Sequence, residues 1–477
     1  ASGSLSNTGT LAAGGDLLAR AERIANHGTL GAGVDDAAQL TQPGRMNLAA
    51  TDRITSGGRI LAGTDASLSG GTLDLKGGSL IAQGDATLAT AGTLDNTAGL
   101  IHAGNRLNVE ADRVVNRDTV GGADNNPLGM QGAWMQIVAD AVDNTGGALR
   151  ADTGLAVVSV TLDNSGGKVT ADGMVEIEAD ATTNAGGLIA SNSVVAITGS
   201  DLVGTGTVTS QRDVRIELSD TFENTGMVSA GDDLTLRVAG DVVNHGTLAA
   251  GGDLDIEGDR AIHNSGLIDG GAVRMEAQTT VSNIGRIYGD SVAIGAGERI
   301  VNDAHPETGG AGVIASRSGD IDLGAPEIAN REHALIHAAR DLRVGAELDG
   351  DGMASGRADR LINASATIDV ARDAYLGAAE VDNLNSHFST TRVDRGSESA
   401  LTYRLDGSTD DIPADSVVLY HTRKGSWAPG TEPDFLGGDD YVMLVLPSTE
   451  YPFETFGPPD RKSTRLNSSQ TDISRMP

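Results

Sequence analysis

The chain contains no cysteine, little aromatic residue and no long apolar run. Without cysteine there is no disulfide framework and no thiolate metal site, and the chain could cross an oxidising periplasm without mispairing. Aromatics make up 3% of 477 residues while glycine contributes 65, which argues against the two or three ordinary globular domains that length alone suggests. No stretch approaches the ~18 consecutive apolar residues of a membrane span. Positive charge is also scarce: Lys and Arg number 34 against 66 Asp and Glu, a formal net charge of −32. Nucleic-acid phosphates would be repelled, so nucleic acid is excluded as a partner. No basic-then-apolar signal segment opens the chain. It begins inside a repeat, "ASGSLSNTGTLAAGGD", which implies a cut N-terminus.

What the sequence does have is a period. "DNTGG" at 143–147 returns as "DNSGG" at 163–167. Corner asparagines continue at Asn184, Asn224, Asn244, Asn264, Asn283 and Asn302, with Gly204 filling the one gap in register. The mark also occurs at Asn7, Asn26, Asn96 and Asn116, and again at Asn330, Asn363 and Asn383. Between marks the apolar pattern alternates, as strands do. In "GDDLTLRVAGDVVN", Leu234, Leu236 and Val238 point one way while Thr235 and Arg237 point the other. Apolar residues recur two before the mark (Leu162, Phe222, Val242, Ile262) and four after it (Val228, Leu248, Ile268). Such regularity excludes a disordered chain.

Each repeat therefore offers about three short strands separated by Gly-, Asn- or Gly-Asp-marked turns. One repeat cannot bury its apolar side, but stacked repeats form a continuous inner column. The fold class is all-β: a right-handed parallel β-helix of about 19–20-residue coils, followed by a small non-repeat β-rich segment. Asn is expected at the corner because it tolerates the left-handed conformation of a sharp turn, which would also explain Gly204. Stacked Asn side chains can also form an amide ladder. Insertions at 34–45, roughly 118–131, 303–310 and roughly 346–358 read as surface loops.

Repeats such as "NHGTLAAGGDLDIEGDRAIHN" (244–264) and "NTAGLIHAGNRLNVEADRVVN" (96–116) resemble the haemagglutinin repeats of filamentous haemagglutinin-like exoproteins. These are secreted partners of bacterial two-partner secretion, including contact-dependent growth inhibition exoproteins. The resemblance covers 1–383 and implies a secreted, surface-displayed filament of a Gram-negative bacterium. Implied partners are an outer-membrane two-partner-secretion transporter and a receptor, protein or glycan, on a target or host cell. The family's secretion domain with its Asn-Pro-Asn motifs is not among these residues, which fits a truncated N-terminus. A polysaccharide-processing β-helical enzyme and an autotransporter passenger adhesin are the alternatives. The first would show irregular coils and aromatic sugar platforms; the shaft has only Trp134, Phe222, Tyr288 and Tyr375.

After Asn383 the composition changes. Residues 384–459 hold nine of the thirteen aromatics and seven of the twelve prolines. By the resemblance, this segment would start a tip or receptor-binding region; a separate β-domain or a cap on the rod is the other reading. "DRKSTRLNSS" (460–469) and "SRMP" (474–477) resemble a translated short-read sequencing adapter, so 460–477 is expected to be a disordered, artefactual tail.

No catalytic, cofactor-binding or metal-binding residue is assigned. "EHALIH" would place His333 and His337 on one side of a strand with Glu332 opposite, but no third ligand has useful spacing. "GTGT" (204–207) lacks the strand-to-helix context of a phosphate loop. Gly-Asp pairs such as those at 230–233 and 251–253 suit turns better than a calcium array. The acidic pairs Asp410-Asp411 and Asp439-Asp440 read as solvated loop charges. A solenoid cut between coils exposes strand edges, so end-to-end association of residues 1–459 is expected.

Overall fold

A computed structural model describes residues 3–121 and 127–391 with their side chains, and beyond them only the backbone of strands within 397–467. The chain divides into two compact units, residues 1–386 and 387–477.

Alternation within each coil becomes three strands, for example Met227–Ala230, Leu234–Val238 and Val242–Asn244. Each pairs in parallel with its equivalent one coil on: Val228 with Leu248, Leu236 with Ile256, Asn244 with Asn264. Repetition builds one 43-stranded system of about 19 turns, with no helix among the described residues. Every second side chain faces inward, and Leu48, Leu88, Ile177, Ile216 and Ile256 are fully buried in one continuous core. The positions two before and four after the corner (Leu162, Phe222, Val242, Ile262; Val228, Leu248, Ile268) all belong to it. Full burial of a Leu or Ile stabilises by roughly 1.5–3 kcal/mol. No coil could bury these side chains without its neighbours.

The corner asparagines are not in the left-handed region, contrary to the sequence expectation. Their side chains instead turn into the core and stack as amides. Asn144 Nδ2 donates to Asn164 Oδ1 at 2.7 Å, and Asn164 Nδ2 to Asn184 Oδ1 at 2.7 Å. Most of these amides also reach a backbone carbonyl of the next coil, as Asn164 does with Leu188 at 3.2 Å. At the corners of Asn144, Asn164 and Asn184 the residue that takes positive φ is the glycine two further on: Gly146 (58°), Gly166 (61°), Gly186 (61°). The second glycine is needed for closeness, since a Cβ on Gly167 would lie 2.2 Å from Asn144 O. Asp163 Oδ1 accepts from Ser165 N (2.9 Å) and Oγ (2.6 Å), completing the turn. Every letter of "DNSGG" thus has its own task. Among the corner residues Gly204 alone takes positive φ: it sits at 126°, and a Cβ there would meet Ala185 N at 2.7 Å.

The insertions leave the ladder intact. Asn116 reaches Asn144 at 2.8 Å, Asn302 reaches Asn330 at 2.9 Å, and Asn330 reaches Asn363 at 2.9 Å. The loop at 34–45 folds over the outer surface, where Leu61 is buried outside the core and a Cβ on Gly31 would strike Val34 Cγ2 at 2.6 Å.

In the second unit, Ser397–Arg404 pairs antiparallel with Asp411–Pro413 and with Asp460–Asn467. Val417–His421 pairs antiparallel with Tyr441–Val445, the "YVMLV" strand. Asp460–Asn467 is thus a strand where a disordered tail was expected. Backbone pairing along an open edge makes little demand on side-chain identity, so even a polar segment can complete a sheet. Asp410 and the Asp439-Asp440 pair lie outside the described residues, as do 468–477.

Candidate functional site

The shaft's regular surface is most elaborated around the insertion that follows Leu342–Gly345. Glu347–Leu348 and Ala354–Ser355 pair antiparallel, and this hairpin lies back across the outer face of the preceding coils. Room for it comes from a glycine column, Gly295, Gly324 and Gly345, stacked in register. A Cβ on Gly324 would lie 2.3 Å from Glu347 C, and one on Gly345 2.3 Å from Ser355 O. Leu348 packs over Gly295, where a Cβ would be 3.2 Å from its Cδ1. Asp349 Oδ1 closes the tip by accepting from Asp351 N and Met353 N, each at 3.0 Å. The hairpin is pinned to the shaft where Ala354 N donates to Asp322 Oδ1 at 2.9 Å.

A shallow cleft runs along each side of the hairpin. One is lined by Glu257, Glu276, Gly295, Gly324, Glu347 and Leu348. The other is lined by Asp255, Arg274, Asp320, Asp322, Arg343 and Met353. Arg343 organises the second: Nη1 reaches Asp320 Oδ2 at 2.9 Å and Asp322 Oδ2 at 3.4 Å, and Nη2 reaches Asp341 Oδ2 at 3.4 Å. The guanidinium also stands 6.0 Å from the ring centre of Tyr375. Arg372 grips Asp341 with both Nε (2.7 Å) and Nη2 (2.5 Å). Those bonds, together with the neighbouring charges, hold the Asp341 carboxyl down to about 2. Burial pushes the Asp322 carboxyl up, and burial with the nearby Glu257 charge does the same to Asp255. Asp255 Oδ1 has no hydrogen-bond partner. Carboxylates gripped by guanidinium groups serve as fixed acceptors, an arrangement suited to non-covalent contact.

The sequence candidates are dispersed. Glu332 and His333 occupy a turn at φ 49° and 68°, before the strand Leu335–Ala338 that holds His337. They are therefore not on one strand with His337, whose Nδ1 meets Asp369 Oδ2 at 2.9 Å. Among the described residues, no three His, Asp or Glu side chains are grouped to hold a metal ion. The Gly-Asp pairs are turn ladders: Asp253 N donates to Asp233 Oδ1 at 2.8 Å, and Asp233 N to Asp213 Oδ1 at 3.4 Å. Sequence reasoning missed the glycine column. Its signal was present in "VAIG", "IDLG" and "LRVG", where a glycine recurs at the same place in three stacked strands before the insertion.

Fold and surface together define a structural β-solenoid shaft with an elaborated side. The haemagglutinin-repeat family model matches residues 1–61, 37–98 and 96–126, so over that stretch the coils are similar to haemagglutinin repeats. No curated protein and no solved structure matches the chain.

Proposed function

We propose that the chain is the structural stalk of a secreted, surface-displayed bacterial filament that mediates contact with another cell. The supporting observation is the unbroken parallel pairing from Ser4 to Leu384 around one filled core. A stack in which each coil is held by its two neighbours has length and stiffness as its natural products. Toxin delivery of the contact-dependent inhibition type and plain adhesion use such a stalk equally well. An outer-membrane transporter of two-partner secretion is the export partner in this reading, and residues 384–459 would begin the receptor-facing region.

The test is surface labelling of the epitope-tagged full-length gene product in its native bacterium. Labelling should vanish when the adjacent transporter gene is deleted; retention inside cells that carry an intact transporter would refute the reading. The enzyme alternative draws on the Asp320, Asp322 and Arg343 cluster. It would require release of reducing sugar from acidic polysaccharides.

A further inference from the structure

We propose that the outward face of the shaft's first strand column, from Lys168 to Tyr288, docks a second copy of this chain side by side. The face is set by the parallel register. Ala190, Thr209, Ser229 and Ala249 stack in one outward rank, with Thr207 and Met227 in the rank beside it.

Its composition departs from that of the rest of the shaft. Among the described residues, no outward position of this column carries a carboxylate from Thr10 to Ala249. The next outward acid, Asp269, is paired with Arg317. The second strand column, by contrast, presents Glu176, Glu178 and Glu217, besides Asp255 and Glu257, which are paired with Arg237. In a chain of net charge −32, two copies meeting through that column would press carboxylate against carboxylate. Through the first column no unpaired carboxylate meets another, and its outward cations, Lys168 and Arg286, lie at the two ends of the strip.

The face also suits close stacking. Its middle coils carry mostly short side chains (Thr207, Thr209, Ser229, Thr247, Ala249), and sheets pack face to face at ~10 Å when the side chains interdigitate. Thr209 Oγ1 and Ser229 Oγ share a hydrogen bond of 2.9 Å, which reduces the penalty for drying them. Met227 stays 42% exposed at the middle. About seven coils at ~4.8 Å, each offering four residues at ~3.3 Å, give a strip of roughly 34 by 13 Å. That is about 440 Å² per copy, on the order of 900 Å² in total, the size of a weak and reversible contact. A weak isologous contact gains effect where many shafts stand on one cell surface. Carboxylates on the outer faces still repel at long range, so pairing should strengthen with salt, the opposite of an ion-paired interface.

The experiment is small-angle scattering on the full chain over a concentration series at low and high salt, reading mass per unit length. Pairing predicts an approach to a twofold rise with concentration, reached earlier at high salt. Thr209→Glu combined with Thr247→Glu should hold the value at that of a single shaft. Thr198→Glu combined with Thr235→Glu, on the second column, should leave pairing unchanged. Should the first pair lower the melting temperature, Met227→Glu alone replaces it. A constant mass per unit length at every concentration would overturn the proposal. So would growth in length alone, which marks end-to-end joining, or pairing that survives the glutamates on the first column.

Discussion

Asn164 is held between two identical amides, and that position decides what it contributes. Replacing it with Leu leaves Asn184 Oδ1 without its donor and removes the acceptor of Asn144 Nδ2. A buried polar group left unpaired costs about 1–3 kcal/mol. Asn96 supplies an internal control. The equivalent place one coil earlier is occupied by Leu75, and Asn96 Oδ1 accordingly has no partner. Asn96→Leu forfeits the bonds to Asn116 and to Gly99 O but orphans a neighbouring amide on one side only, so it should destabilise less than Asn164→Leu, by about 1 kcal/mol in urea melts. Equal losses would show that the ladder contributes nothing beyond shape. A second residue-scale prediction concerns Ala98, at φ 53° in the place that Gly146 and Gly166 occupy. Ala98→Gly removes the steric conflict of a Cβ in the left-handed region and should stabilise by about 1 kcal/mol. The corner was legible in the sequence as a position but not as a mechanism. Periodicity reports that Asn recurs, whereas whether its backbone or its amide is selected depends on which way the side chain turns.

The hairpin at 346–357 shows what periodicity cannot report at the scale of an element. Its existence was readable as a break in register, and its glycine seats as the glycine that recurs in "VAIG", "IDLG" and "LRVG". That these belong together was not readable, because Gly295 and Gly345 are far apart in sequence and meet the hairpin only once the coils are stacked. Gly324→Val would drive a side chain into the Glu347 backbone, so the hairpin should lift from the shaft. The expected result is faster proteolysis between Glu347 and Ser355 with little change in the main melt, since the core under Leu323 is untouched. Concerted loss of the whole fold would place the hairpin within the shaft's cooperative unit. The adjoining charges add a pH test. The Asp341 carboxyl is depressed to about 2 by Arg372, so its ionised form favours the folded state. Its contribution is fully present above the ordinary carboxylate range and is lost as pH falls towards 2. Asp341→Asn should therefore lower stability at neutral pH and make progressively less difference in acid.

At the scale of the whole shaft, stability should behave as a sum over coils and their nearest neighbours. This can be tested by removing one coil cleanly. Deleting residues 165–184 joins Asn164 to Ala185 and regenerates the corner as Asp163-Asn164-Ala185-Gly186-Gly187. The excised piece is even in length, so every downstream side chain keeps its face and the inner column closes up. Asn164 then faces the Gly204 coil, as Asn184 does now, and the ladder loses one member without gaining a second break. The shortened chain should keep its β-sheet circular dichroism, melt within a few degrees of the parent and lose about 4.8 Å of length by scattering. Deleting residues 165–174 removes half a coil and destroys the corner, placing strand residues against turn residues through the rest of the stack. That variant should fail to fold, although it lacks half as many residues. The contrast separates a modular stalk, whose length can change by whole coils, from a fold that depends on one particular coil. If both deletions abolish folding, the coils are not equivalent units and the sum-over-neighbours account is wrong.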